Sequence, residues 1–113
     1  HCSRPPFLHL DIKPANLLVD SNGTVKVADF GFALIKRQQW PEGKQPVAKG
    51  TPIYAAPEVL LGRTFDEKAD VFSFGMVLWE MFTCEFPWAN TAPRQDHVCN
   101  VCGNNARPPI PVD

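Results

Sequence analysis

The sequence predicts an α+β chain that is mainly α. Three observations carry that expectation: a hairpin signal around Asn22-Gly23, an apolar stretch of helical length ending near Phe82, and a shorter helical stretch bounded by Pro93 and Gly103. The chain's 113 residues allow one compact domain and are too few for two.

Residues 1–16 contain Pro5, Pro6 and Pro14 and read as irregular. Leu17-Leu18-Val19 and Thr24-Val25-Lys26-Val27 then flank the turn cluster Asp20-Ser21-Asn22-Gly23, which predicts two strands around a tight turn. Residues 32–57 lack sustained periodicity and are broken by Pro41, Gly43, Pro46, Gly50, Pro52 and Pro57, as in a functional loop. Thr64-Phe65-Asp66-Glu67 has the form of a capping box and opens a helix over about 67–82. Past the first turn its charges are Asp70 and Glu80, and apolar residues occupy nearly every face, so burial all round is expected. A second helix over about 94–102 would place Val98, Val101 and Cys102 on one face. The tail Arg107-Pro108-Pro109-Ile110-Pro111 cannot be helical.

Composition excludes several classes. With 44% hydrophobic and 20% charged residues the chain can build a core, so disorder throughout is not expected. Its 12 prolines follow no collagen-like period and mark bends. A net charge of −1 offers no footprint for nucleic acid, and no apolar run reaches the roughly 18 residues that span a bilayer. Cys2, Cys84, Cys99 and Cys102 are too sparse for a disulfide framework, which suggests a reducing compartment. The start at His1 reads as a piece cut from something longer.

Candidate chemistry begins at the hairpin. With a two-residue Asn22-Gly23 loop, Ser21 pairs with Thr24, and continuing outward Asn16 meets Asp29. An amide oxygen and a carboxylate would then converge where both can bind a hard cation such as Mg²⁺. The plainer alternative is that Asn16 caps a loop and Asp29 begins a turn before Gly31. Upstream, Asp11, Lys13 and Asn16 lie within six positions and supply a proton acceptor, a mobile cation and a metal ligand. That set suits phosphoryl transfer, which depends on positioning and on neutralising spread charge.

These residues resemble the protein-kinase family. His9-Leu10-Asp11-Ile12-Lys13-Pro14-Ala15-Asn16 is similar to its catalytic loop (9–16), Asp29-Phe30-Gly31 to its magnesium motif (29–31), and Ala56-Pro57-Glu58 to the end of its activation segment (29–58). The resemblance implies part of the larger, mainly helical lobe. It implies Asp11 as the base for the substrate hydroxyl, Lys13 at the γ-phosphate, Thr51 in contact with both, and Asn16 and Asp29 as magnesium ligands. It further implies ATP contacts from Lys13, Asn16, Leu18 and Asp29, packing roles for His9 and Phe30, and an Asp70 that binds catalytic-loop amides. Lys13-Pro14 and Gly50-Thr51-Pro52 resemble serine/threonine kinases, most closely the tyrosine-kinase-like group. The implied partners are ATP, Mg²⁺ and a protein with a Ser or Thr hydroxyl. The alternative is a pseudokinase or kinase-derived scaffold that binds partners without catalysis; the retained Asp11, Lys13, Asn16 and Asp29 favour the enzyme.

Other candidates have plainer readings. Cys99 and Cys102 form a lone CxxC with His97 nearby, short of a four-ligand zinc site, and read as packing residues. Lys36, Arg37, Lys44 and Lys49 read as solvated charges, and Trp40, Trp79 and Trp88 as core or loop anchors. No Gly-rich loop, strand lysine or partner glutamate is present, so this stretch alone is expected to be inactive and poorly soluble.

One departure from the family pattern bears on regulation. Leu10 stands where most of the family has an arginine that pairs with a phosphorylated loop residue, and residues 32–50 contain no Ser, Thr or Tyr. The whole protein carrying this chain should therefore keep its activity after phosphatase treatment. Activity lost on that treatment would contradict this.

Overall fold

In a computed structural model, residues 7–31, 33–35, 50–88, 101–102 and 105–111 are described. They form a small α+β arrangement of two short antiparallel ladders and two helices. Strand β1 (Phe7–Leu8) pairs with β4 (Leu34–Ile35), and β2 (Leu17–Val19) pairs with β3 (Val25–Val27). Helix α1 covers Pro57–Leu60 and α2 covers Lys68–Thr83. Single 3₁₀ turns occupy Pro14–Asn16 and Pro52–Tyr54, each opened by a proline whose missing N–H costs nothing at a helix start. Most of the stretch over 94–102 lies outside the described residues, as do Cys2, Lys36, Arg37, Trp40, Lys44, Lys49, His97 and Cys99.

The hairpin forms, but its register differs by one from the expected pairing. Leu17 faces Val27 and Val19 faces Val25, so the loop has three residues, 21–23, rather than two. The cause is Asp20, whose Oδ1 accepts the backbone N–H groups of Asn22 at 2.8 Å and Thr24 at 2.9 Å. Those bonds hold the carboxyl of Asp20 below the usual carboxylate range. Gly23 closes the loop at φ +80, where a side chain would be strained. In consequence Asn16 pairs with Ala28, whose N–H donates to Asn16 O at 2.8 Å, and Asp29 falls one residue beyond the pair.

The capping box does not form either. Helix α2 starts three residues after Phe65, and Asp66 Oδ1 accepts the Lys68 N–H at 2.9 Å in place of a Thr64 cap. The buried side of α2 is Ala69, Ser73, Met76 and Val77, which recur at helical spacing. A second apolar stripe, Val71, Phe74, Leu78, Met81 and Phe82, is exposed, with Phe82 at 79%, so burial is one-sided instead of all round. At its C-terminus Cys84 takes a left-handed φ of 55 and its N–H returns to Glu80 O.

Two core clusters meet on α2. Leu8, Leu10, Ala56, Phe65 and Ala69 form one, and Tyr54, Met76 and Val77 the other, with Phe72 packed against both. Between them, Asp70 reaches some sixty residues back along the chain. Its Oδ2 accepts the His9 N–H at 2.7 Å and its Oδ1 accepts the Leu10 N–H at 2.9 Å. Leu10 sits at φ 65, a conformation costing a branched side chain about 1–2 kcal/mol. The Asp70 bond and the burial of the Leu10 side chain hold it there.

Asp70→Ala removes the acceptor from both N–H groups and should cost about 3 kcal/mol of unfolding free energy. Urea denaturation of the protein carrying this chain measures the loss. A change below about 0.5 kcal/mol would show that the 9–10 backbone is held by something else.

Candidate active site

The 9–11 segment is wired by one histidine. The Asp11 N–H donates to His9 Nδ1 at 3.1 Å, and His9 Nε2 lies 2.9 Å from Ala28 O. A ring that accepts at Nδ1 carries its proton on Nε2, so these partners select one neutral tautomer. His9 thereby joins the loop holding Asp11 to the base of the hairpin. Phe30 packs edge-on against the His9 ring at 5.2 Å and lies 5.7 Å from Phe7.

Four expected site residues come together. The Thr51 hydroxyl donates to Asp11 Oδ1 at 2.9 Å while its oxygen accepts from Lys13 Nζ at 2.9 Å. Lys13 Nζ also stands 3.7 Å from Asp11 Oδ2. Asn16 Nδ2 donates to Asp11 O at 2.8 Å and to Oδ2 at 3.2 Å. Asp11 and Asn16 are buried, at 5% and 6% exposure, while Lys13 and Thr51 are half-buried. With its nitrogen committed to Asp11, Asn16 has its amide oxygen left over for another partner.

Asp29 and Leu18 stand apart from this cluster. Asp29 is exposed at φ 57, and its Oδ1 accepts the Gly31 N–H at 3.2 Å. Its tie to Asn16 runs through the neighbouring Ala28 bond instead of the expected opposed pair. Leu18 lies on β2 and is 55% exposed. Among the described residues no three His, Cys, Asp or Glu side chains converge as a metal centre. The oxygens of Asn16 and Asp29 nonetheless match the donor type that Mg²⁺ takes, one or two protein oxygens with the rest from phosphate and water.

The backbone delivering Thr51 approaches the loop closely. A Cβ on Gly50 would lie 2.4 Å from Leu10 O, a separation atoms do not tolerate, so glycine is required for this docking. Beyond Thr51 the chain borders a cavity of about 700 Å³, lined among others by Lys13, Pro52, Ile53, Leu60, Glu80 and Phe86. Tyr54 is buried at its rim and donates its hydroxyl to Glu80 Oε1 at 2.6 Å.

The chain matches the protein kinase domain over residues 1–108. It belongs to the protein kinase family. It is 50% identical over its whole length to "Dual specificity protein kinase shkA" of Dictyostelium discoideum, covering 22% of that protein. "Dual specificity protein kinase shkC" of the same organism is 46% identical over the whole chain, which again covers 22% of it. "Serine/threonine-protein kinase CTR1" of Arabidopsis thaliana, a kinase of the tyrosine-kinase-like type, is 47% identical over 84% of the chain and 11% of its own length. The chain thus spans about a fifth or less of the relatives it matches. Kinases of this family generally use ATP and Mg²⁺. No helix of the described residues is long and apolar enough to cross a membrane.

Sequence reasoning did not identify Tyr54, Ser73, Glu80 and Trp88 as a group. Their signal was faint: Ser73 and Glu80 stand among mostly apolar residues in the body of α2. Burial, followed by the hydrogen bond and charge of Glu80, raises the Tyr54 phenol well above its ordinary pKa of 10.0. A raised phenol pKa contributes stability that is complete below about pH 10 and is lost as pH climbs toward the folded value. Stability should therefore fall above pH 10 in the native protein, and Tyr54→Phe should flatten that alkaline limb. Urea midpoints at pH 8 and pH 11 measure both, and equal slopes in the two proteins would contradict it.

Proposed function

We propose that this chain is part of the larger lobe of a protein serine/threonine kinase of the tyrosine-kinase-like group. It would serve a protein that transfers the γ-phosphoryl of ATP to a Ser or Thr hydroxyl. The observation that carries this reading is the Thr51 hydroxyl, 2.9 Å from both Asp11 Oδ1 and Lys13 Nζ. That contact joins the acceptor-side loop directly to a carboxylate and a cation.

In this reading residues 9–16 are the catalytic loop, 29–31 the magnesium motif and 29–58 the activation segment. Asp11 receives the proton of the substrate hydroxyl, its carboxylate aimed by Thr51 at Oδ1 and by Asn16 at Oδ2. Lys13 offsets negative charge on the migrating phosphoryl oxygens. Asn16, through its uncommitted oxygen, and Asp29 would hold Mg²⁺, and Leu18 would lie against the nucleotide with its exposed side chain. When bound, Mg²⁺ neutralises phosphate charge and templates the transfer. Buried Asp11 and Asn16 resist reorientation, so the acceptor geometry is set before substrate arrives. A cytoplasmic setting belongs to the same reading. The activity belongs to the whole protein, and the chain alone should be inactive because the lobe that clamps ATP is not part of it.

The test is phosphoryl transfer by the whole protein to peptides bearing Ser, Thr or Tyr. Asp11→Asn should lower kcat at least 100-fold with little effect on ATP binding. Asn16→Ala and Asp29→Ala should each raise the Mg²⁺ concentration needed for half-maximal rate. Transfer to Ser and Thr but not Tyr is expected, and transfer to Tyr would make the enzyme dual-specific. A protein that binds partners but transfers no phosphate would be the scaffold instead.

A further inference from the structure

Nothing within Thr51 itself keeps its hydroxyl against Asp11. The residue is extended at φ −91 and ψ 114 and leads into the turn Pro52–Tyr54. Inside that turn Thr51 O accepts the Tyr54 N–H at 3.0 Å, and Pro52 O accepts the Ala55 N–H at 3.1 Å. A 3₁₀ turn leaves its last carbonyls without internal donors, and those must find partners elsewhere.

Both find them on the far side of the core. Ser73 Oγ lies 2.8 Å from Tyr54 O, and the Trp88 indole N–H donates to Ile53 O at 3.2 Å across 35 residues. Ser73 can also donate to Ala69 O in its own helix at 3.1 Å, so its single proton is divided between two acceptors. Trp88 packs against the cluster formed by Tyr54, Met76 and Val77, and its backbone is held at φ 64 behind Pro87, which is fully buried. A bulky residue keeps that conformation only where its surroundings hold it there.

We propose that Trp88 is a positioning residue for the reaction. By gripping Ile53 O it fixes the 52–54 turn and so holds the Thr51 hydroxyl between Asp11 and Lys13. The inference rests on the kinase reading above but concerns a residue outside all of its motifs.

The test uses the whole protein with Trp88→Phe, which keeps a ring and removes the N–H. Replacing Trp88 with benzothienylalanine does the same while preserving indole shape, should phenylalanine disturb folding. Losing one neutral hydrogen bond should lower kcat about fivefold, with KM for ATP unchanged. If Trp88 acts through Thr51, adding the change to Thr51→Val should lower kcat no further. A wild-type kcat in either Trp88 variant, or effects that multiply with Thr51→Val, would overturn the proposal. Hydrogen exchange decides it independently of catalysis. The Tyr54 and Ala55 amides should exchange several-fold faster in the variants while the Val77 amide in α2 is unchanged, and unaltered Tyr54 and Ala55 protection would overturn it. A wild-type protein without transferase activity would defeat the kinase reading and leave this exchange measurement to judge Trp88.

Discussion

The carboxylate of Asp70 is the point from which the site is built. Placed in the first turn of α2, between Ala69 and Val71, it would be costly without donors close at hand. The backbone N–H groups of His9 and Leu10 satisfy both oxygens, and in doing so clamp a segment some sixty residues away onto the helix. The clamp accounts for the left-handed Leu10, for the approach of Gly50 to Leu10 O, and for the placement of Asp11 one residue further on. A half-buried carboxylate satisfied by two backbone N–H groups thus becomes the origin of the site's coordinates.

From that origin the site is assembled from two directions. His9 accepts the Asp11 N–H and reaches Ala28 O, so Asp11 is referenced to the hairpin. Thr51 arrives from the opposite side on a turn whose carbonyls are held by Ser73 and Trp88. The two sides meet in the contacts among Asp11, Lys13 and Thr51, and none of the three is held by local sequence alone. Leu10 contributes apolar burial where a charged residue would call for a phosphate, which suits docking by close backbone approach.

The exposed stripe of α2 has a simple physical description. Its residues are apolar at helical spacing, yet the cores formed by the described residues lie on the other side of the helix. Periodicity reports how many faces of a helix are apolar; it does not report how many a given length of chain can cover. Expecting burial on every side confused those two quantities.

Much was legible in the residues themselves. The strand runs on either side of Asn22-Gly23, the helical character of the segment around Asp70, the cluster of Asp11, Lys13 and Asn16, and the kinase resemblance all rest on local pattern and motif spacing. Local chemistry also misled where two local devices compete: Asp20 captured two turn amides and shifted the register, and Asp66 displaced Thr64 at the start of α2. The pairings of Asp70 with the 9–10 backbone and of Thr51 with Asp11 and Lys13 were implied by the kinase resemblance and by no local pattern, whereas tertiary structure alone decided those of Trp88 with Ile53, Ser73 with Tyr54 and Tyr54 with Glu80. Hydrogen-bond partners dozens of residues apart leave no periodicity in the sequence, because their meeting depends on how the whole chain packs.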